Sequence, residues 1–256
     1  MSLFNSPKDR PRGPRSPVAL LIIILAIGAG IIAYTNGDPR RTLQLEAPYA
    51  PGEASRFESR IEGRPFASWE LRVEADGEGA ALVSDKQGGD FHEQATVFVA
   101  PDYLTPVRTE FIRDSSEGRA AYTALFHENE VAITASLPSG VQDKMIAPPA
   151  QPCFDLEQAP MLIRAIPFRR GYRATFNTVI SRLGITGTLT VHVVKKETIS
   201  VPAGRYTAWA VELKGTGVTV WVGVDPPHPI VKYVDRKANA VSELTQFIPG
   251  SHNSGI

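Results

Sequence analysis

Residues 68–77 read SWELRVEADG, and this stretch decides the fold class. Trp69, Leu71 and Val73 alternate with charged residues, so a strand formed here has one apolar face and one polar face. The Asp-Gly pair that ends the stretch is typical of a tight hairpin turn. The stretch therefore predicts an antiparallel strand that is buried on one face and followed directly by a second strand.

Similar alternating segments, each closed by turn residues, recur along the chain. The strands predicted beyond the first lie at about 80–84, 91–99, 106–113, 120–127, 130–137, 172–182, 186–197, 205–213, 218–224, 230–235 and 240–247. The proline-rich segment 138–153 is predicted to interrupt them, and FDLEQAPMLIRAIPF (154–168) predicts a short or broken helix. A sheet of this size does not stay flat. We therefore expect a mainly β fold, an antiparallel curled sheet or open half-barrel with one short helix packed in it.

A single transmembrane helix is predicted before this domain, at residues 18–34 (VALLIIILAIGAGIIAY). At about 1.5 Å per residue the segment reaches roughly 26 Å, close to the thickness of a bilayer core. Residues 1–17 hold Lys8, Arg10, Arg12 and Arg15, and the positive-inside rule then places the N-terminus in the cytoplasm. The predicted location is the cell (inner) membrane, with the C-terminal domain periplasmic or extracellular. A cleaved signal peptide is the alternative, because small residues follow the apolar run.

The predicted organisation has five parts. They are a cytoplasmic basic tail (1–17), the transmembrane helix (18–34), a linker rich in Pro and Gly (35–55), an extracytoplasmic β-domain (56–248) and a flexible C-terminal tail (249–256). The one cysteine, Cys153, excludes an intramolecular disulfide. The formal charge is +0 and no basic face is evident, so no nucleic-acid partner is expected.

Four pieces of the second half, in this order, carry a resemblance to a known family. They are DLEQAPMLIRAIPFRRGY, VPAGRYTAWAVEL, VWVGVDPPHPIVKYVD and VSELTQF, between Asp155 and Phe247. This half resembles a bacterial family of unknown function, whose members are envelope β-proteins related in shape to the lipoprotein carriers LolA and LolB. The resemblance implies a sheet wrapped around a helix, sometimes with a hydrophobic cleft. It implies no reaction and no catalytic residues.

Motifs for catalysis or metal binding do not occur in the sequence. It has no phosphate-binding glycine loop, GxSxG elbow, HExxH helix or CxxC pair. His92-Glu93 and His127-Glu128 are sequence neighbours, which point to opposite faces of a strand and cannot chelate from one face. We therefore expect no enzyme, no metal and no cofactor.

The function expected is that of a membrane-tethered, non-enzymatic domain that binds an apolar or lipid ligand. The residues predicted to line an apolar cleft are Trp209, Trp221, Leu162 and Ile166. A filled core without a cleft is the alternative structure. The alternative function is a structural or assembly module that contacts another cell-envelope protein through an exposed edge strand or the segment 138–153.

Overall fold

The computed structural model describes residues 45–148 and 150–251. Within these residues the chain forms fifteen strands that belong to one sheet. They are β1 (Ala54–Ile61), β2 (Arg64–Asp76), β3 (Gly79–Gly88), β4 (Phe91–Val99), β5 (Pro106–Ser115), β6 (Gly118–Phe126), β7 (Val131–Leu137), β8 (Gly140–Ile146), β9 (Cys153–Asp155), β10 (Arg173–Ile180), β11 (Ile185–Val201), β12 (Gly204–Leu213), β13 (Val218–Gly223), β14 (Ile230–Asp235) and β15 (Ala240–Ile248).

The sheet is a meander whose first and last strands pair in its middle. Its strand order is β8-β7-β6-β5-β4-β3-β2-β1-β15-β14-β13-β12-β11-β10-β9. All neighbours are antiparallel except β9 and β10, which are parallel. The hairpin predicted at SWELRVEADG is confirmed, because β2 pairs with β3 from Ala67 to Asp76 and Gly77 adopts a positive φ of 58° in the turn.

A short helical segment fills the concave side of the sheet. A 3₁₀ turn (Leu156–Gln158) leads directly into helix α1 (Ala159–Arg164). The Asp155 side chain caps the turn by accepting a hydrogen bond from the Glu157 N–H, and Pro160 stands in the first turn of α1, where its missing N–H costs nothing. Leu162 and Ile163 are completely buried in the main core. This confirms a curled sheet with one short helix inside.

The two ends of the sheet approach each other through side chains. A second core cluster joins Ala124 on β6 and Ile133 on β7 to Cys153 on β9 and Val179 on β10. No backbone ladder connects the two end strands within the described residues. The sheet is therefore curled but open.

The structure corrects two expectations about the strands. The sequence predicted twelve, and the described residues contain three more, β1, β8 and β9. Residues 138–153 were expected to interrupt the sheet, but they include β8, which is paired with β7 along its length. β8 was missed because it is exposed on both faces and therefore has no apolar alternation.

The predicted cytoplasmic tail and anchor lie outside the described residues, as do residues 35–44 of the predicted linker and the last five residues. In the part of the chain that the structure describes, no helix is long and apolar enough to cross a bilayer. Residues 45–53 of the predicted linker pack on the domain, with Tyr49 1% and Glu53 2% exposed.

Candidate functional site

The candidate site is a largely apolar cavity between helix α1 and the concave face of the sheet. Its volume is about 110 Å³. The helical segment contributes Leu156, Ala159 and Ile163, and the opposite wall comes from strands at the centre of the sheet. The apolar residues of that wall are Ile61, Phe66, Ala67, Trp69, Phe91, Leu213, Val220, Ile230, Tyr233 and Ala240. The space between the helix and the sheet is therefore not completely filled by side chains.

Trp69 forms the aromatic wall of the cavity and is held rigidly. It stacks on Phe57 with 4.7 Å between ring centroids, and Tyr233 meets it edge to face at 6.0 Å. Its indole N–H donates to the Ser84 hydroxyl at 2.9 Å. Lys86 completes the surroundings, with Nζ 5.1 Å from the ring centroid. These contacts fix the orientation of the indole, and the part of the ring that lines the cavity is a preformed apolar surface.

A row of charged residues continues from Trp69 across the concave face. In the strand register Trp69 lies opposite Lys86, Lys86 opposite Glu93, and Glu93 opposite Arg113. Residues opposite each other in antiparallel strands share a face. Lys86 and Glu93 therefore point to the same side as Trp69, and both line the cavity.

The 3₁₀ turn Ser181–Leu183 brings Arg182 to the same place from the other end of the sheet. Its Nε lies 2.7 Å from Glu157, its Nη1 lies 3.8 Å from Glu93, and its guanidinium stacks 4.5 Å from the ring centroid of Phe111. Arg113 lies 3.6 Å from Glu93. The carboxylates of Glu93 and Glu157, which line the cavity, are thus both compensated by arginine.

Asp155 lies beneath this cluster and is completely buried. It accepts hydrogen bonds from the Ser181 hydroxyl and the Glu157 N–H. Burial raises the pKa of Asp155 to about 6, and the negative charge of Glu157 acts in the same direction, while the two hydrogen bonds oppose the rise. Asp155 therefore combines a structural cap with a titration close to neutral pH.

Arg164, at the end of α1, is also buried but plays a different part. It pairs with Glu53 at 2.6 Å and donates to the carbonyls of Pro227 and His228 at 2.8 and 2.9 Å. These contacts join the helix to the segment before β1 and to the loop between β13 and β14. Arg164 does not line the apolar cavity, and we assign it to the architecture.

The four residues predicted for a cleft do not lie together. Ile166 and Trp209 border a separate, open depression next to Arg164, and Leu162 is completely buried without lining either hollow. Trp209 lies opposite Val222, and Trp221 lies opposite Ala210, so the two indoles point to opposite faces of the sheet. The Trp221 indole donates to Glu197.

Sequence reasoning missed the residues that line the cavity, although a signal was present. Glu93 has the same strand parity as Phe91, Ala95 and Val97, and is only 6% exposed. A charged residue at an inward position of an alternating strand is unusual and marks a site for attention. No group of three or more metal-ligating side chains occurs among residues 45–148 and 150–251.

Comparison with known proteins gives the family. The model of DUF3108, described as a protein of unknown function, matches residues 53–239. The chain belongs to the DUF3108 family. The match includes the first half of this DUF3108 chain, where only generic strands were evident, as well as the second half that carried the resemblance. A relation to LolA and LolB stays a prediction.

Two further comparisons add little to the assignment. No curated protein matches this DUF3108 chain. Among solved structures, it is similar to a Bacteroides fragilis protein with a YmcC-like fold, at 10% identity and a TM-score of 0.29, covering 81% of this chain and 100% of the other. A TM-score this low supports no inference about function.

Proposed function

We propose that this domain binds an apolar or amphipathic small molecule in the cavity under helix α1 and carries out no reaction on it. The observation that supports the proposal is the cavity itself, whose apolar walls are set by the core of the fold. Small ligand sites of this kind are concave, mostly apolar and largely preformed.

The size of the cavity limits its occupant. It measures about 110 Å³, somewhat less than the apolar cavity of about 150 Å³ that holds benzene in an engineered protein. The enclosed part of a ligand is therefore as small as a compact ring or a few carbons of an acyl chain. Polar residues such as Ser59, Arg60 and Ser242 also line the cavity and provide for a polar end.

The domain is further proposed to act outside the cytoplasm while tethered to the inner membrane. The apolar run 18–34 and the basic residues before it support this arrangement. A tether restricts the domain to ligands or partners near the membrane surface. Lipids and their breakdown products are abundant there, and their chemistry suits an apolar cavity.

Filling the cavity tests ligand binding directly. The probe is 8-bromo-1-octanol, whose bromine quenches tryptophan fluorescence on contact, and Trp69 is the tryptophan that lines the cavity. The full chain is kept in solution with an amphipathic polymer, since free detergent would itself compete for an apolar site. We expect Ala67→Phe, at a half-buried alanine of the wall, to weaken saturable quenching at least tenfold because the added ring occupies the cavity.

The matched control is Ala132→Phe. Ala132 is also a half-buried alanine in a strand, but it does not line the cavity. Wild-type affinity in this variant, with loss in Ala67→Phe, supports binding in the cavity. The absence of saturable quenching in the wild-type chain would refute the proposal.

An assembly role is the second candidate, and β8 favours it. This strand lies at the end of the sheet, and Val141 and Met145 are 68% and 56% exposed. Exposed edge strands accept a further strand from a partner. Photo-crosslinking from position 141 in whole cells tests this role, and recovery of uncrosslinked monomer alone rejects it.

A further inference from the structure

The charges around the cavity are unequally compensated. Glu93 is next to Arg113 and Arg182, and Glu157 is next to Arg182. Arg60 lies 3.3 Å from Glu58 and 3.5 Å from Glu243. Each of these three lining residues therefore has an oppositely charged side chain close by.

Lys86 is the exception among the charged residues that line the cavity. It is half-buried, and within the described residues it has no carboxylate within 4.0 Å, although Glu93 is its partner in the strand register. Its ammonium group lies instead over the Trp69 ring. A partly desolvated ammonium group without a counter-ion favours an anion beside it.

The position of Lys86 puts this charge at the junction of apolar and polar surface. Trp69 lies on one side of it in the register, and the compensated Glu93 lies on the other. An alkyl chain on Trp69 and Ile163 would have its polar end within reach of Nζ. The arginines beside Glu93 reduce the repulsion that this carboxylate exerts on an incoming anion.

We propose that the cavity selects amphiphiles with an anionic head group, a carboxylate in the simplest case, and that Lys86 binds that head group while the chain enters the cavity. This assignment rests on the proposed function and adds the class of ligand. A fatty acid or a single-chain anionic lipid has this chemistry, whereas a fatty alcohol has the chain without the charge.

The test compares two probes that differ only in the head group, 8-bromooctanoate and 8-bromo-1-octanol, on the full chain in amphipathic polymer. We expect Lys86→Gln to weaken octanoate binding about tenfold, because a charge-assisted contact is lost, and to leave octanol binding unchanged. Lys86→Arg keeps the positive charge, and we expect octanoate affinity within about threefold of the wild type.

Lys196→Gln is the matched control. Lys196 also lies over an indole, with Nζ 5.7 Å from the Trp209 ring, but neither residue lines the apolar cavity. We expect this variant to bind both probes like the wild type. Wild-type octanoate affinity in Lys86→Gln would overturn the role of Lys86 and leave the proposed function standing. Failure of both probes to bind the wild-type chain would overturn both.

Discussion

Two arginines lie at the two ends of the helical region, and their surroundings differ. Arg164 is 1% exposed in its side chain, and each of its guanidinium nitrogens has a partner in Glu53, Met161 or the carbonyls of Pro227 and His228. Arg182 is 13% exposed, is shared between Glu157 and Glu93, and has a buried Nη2 without a hydrogen-bond partner among the described residues. The first arginine has a partner at every nitrogen and lies away from the apolar cavity, although Glu53 keeps a buried Oε2 without a hydrogen-bond partner among the described residues. The second arginine has an unpartnered nitrogen and pairs with two carboxylates that line the cavity.

The two arginines call for different tests. A buried ion pair contributes little net stability, but removing one partner is expensive because the other stays charged and desolvated. The Arg164 pair, which lies away from the apolar cavity, is therefore best tested by stability, and the Arg182 cluster, whose carboxylates line the cavity, by ligand binding and pH.

Arg164→Met is expected to cause the largest loss of stability. The variant leaves Glu53 buried without its counter-ion, and breaking such a pair costs about 3–5 kcal/mol. Urea unfolding of the full chain, followed by far-UV circular dichroism, measures the free energy of unfolding. The double variant Arg164→Met/Glu53→Gln is expected to recover much of the loss, because the uncompensated charge is gone. If Arg164→Met were as stable as the wild type, the contacts of Arg164 would not be important for the stability of the fold.

The pH dependence of stability tests the raised pKa of Asp155, which is buried next to the Arg182 cluster. The pKa of Asp155 is raised from 3.8 to about 6, so the folded chain retains a proton that the unfolded chain has released. The contribution of Asp155 to the free energy of unfolding is therefore fully present below about pH 4. It decreases by up to about 3 kcal/mol as the pH rises to about 6.

Asp155→Asn removes this titration and keeps an oxygen that can accept the Glu157 N–H. Relative to the wild type, the variant is expected to gain stability as the pH rises from 4 to 6 and to show a constant difference above that range. Taking the difference between the two chains cancels the other carboxylates, including Glu197 and Glu212, whose pKa values are lowered. A difference that does not vary with pH would contradict the raised pKa.

Local pattern predicted much of this fold, but the candidate site depends on register. Alternation around Trp69 and the turn at Gly77 identified β2 and β3, and Pro160 helped to place the short helix, because these signals are local. The pairing of β1 with β15 joins residues almost two hundred positions apart, and no local signal specifies it. For the same reason Trp69, Lys86 and Glu93 could not be combined into one row before the register was known.

The four residues predicted for a cleft illustrate the same limit. An apolar or aromatic residue in a strand is equally suited to the core, to a cavity wall or to the outer face, and the sequence does not distinguish them. Trp209 and Trp221 are close in the sequence yet lie on opposite faces, because the turn between β12 and β13 sets which residues pair. A charged residue at an inward-facing strand position is more informative, since burying a charge without a partner costs free energy.

The smallest changes in stability are expected when Glu93→Gln is compared with Glu70→Gln. Each of these two carboxylates lies near two arginines. Glu93 is on the concave face, with its arginines at 3.6 and 3.8 Å and a side chain 8% exposed. Glu70 is 28% exposed and has shorter contacts, 2.9 Å to Arg56 and 3.4 Å to Arg72. If distance decided the energy, Glu70→Gln would be the more destabilising change. Because water screens the exposed pairs, we expect about 1–2 kcal/mol for Glu93→Gln and less than about 1 kcal/mol for Glu70→Gln in the same unfolding assay. A larger loss of stability in Glu70→Gln than in Glu93→Gln would mean that water screens the Arg182 cluster as it screens the outer face. The charges beside the cavity would then give no reason to expect a binding site there.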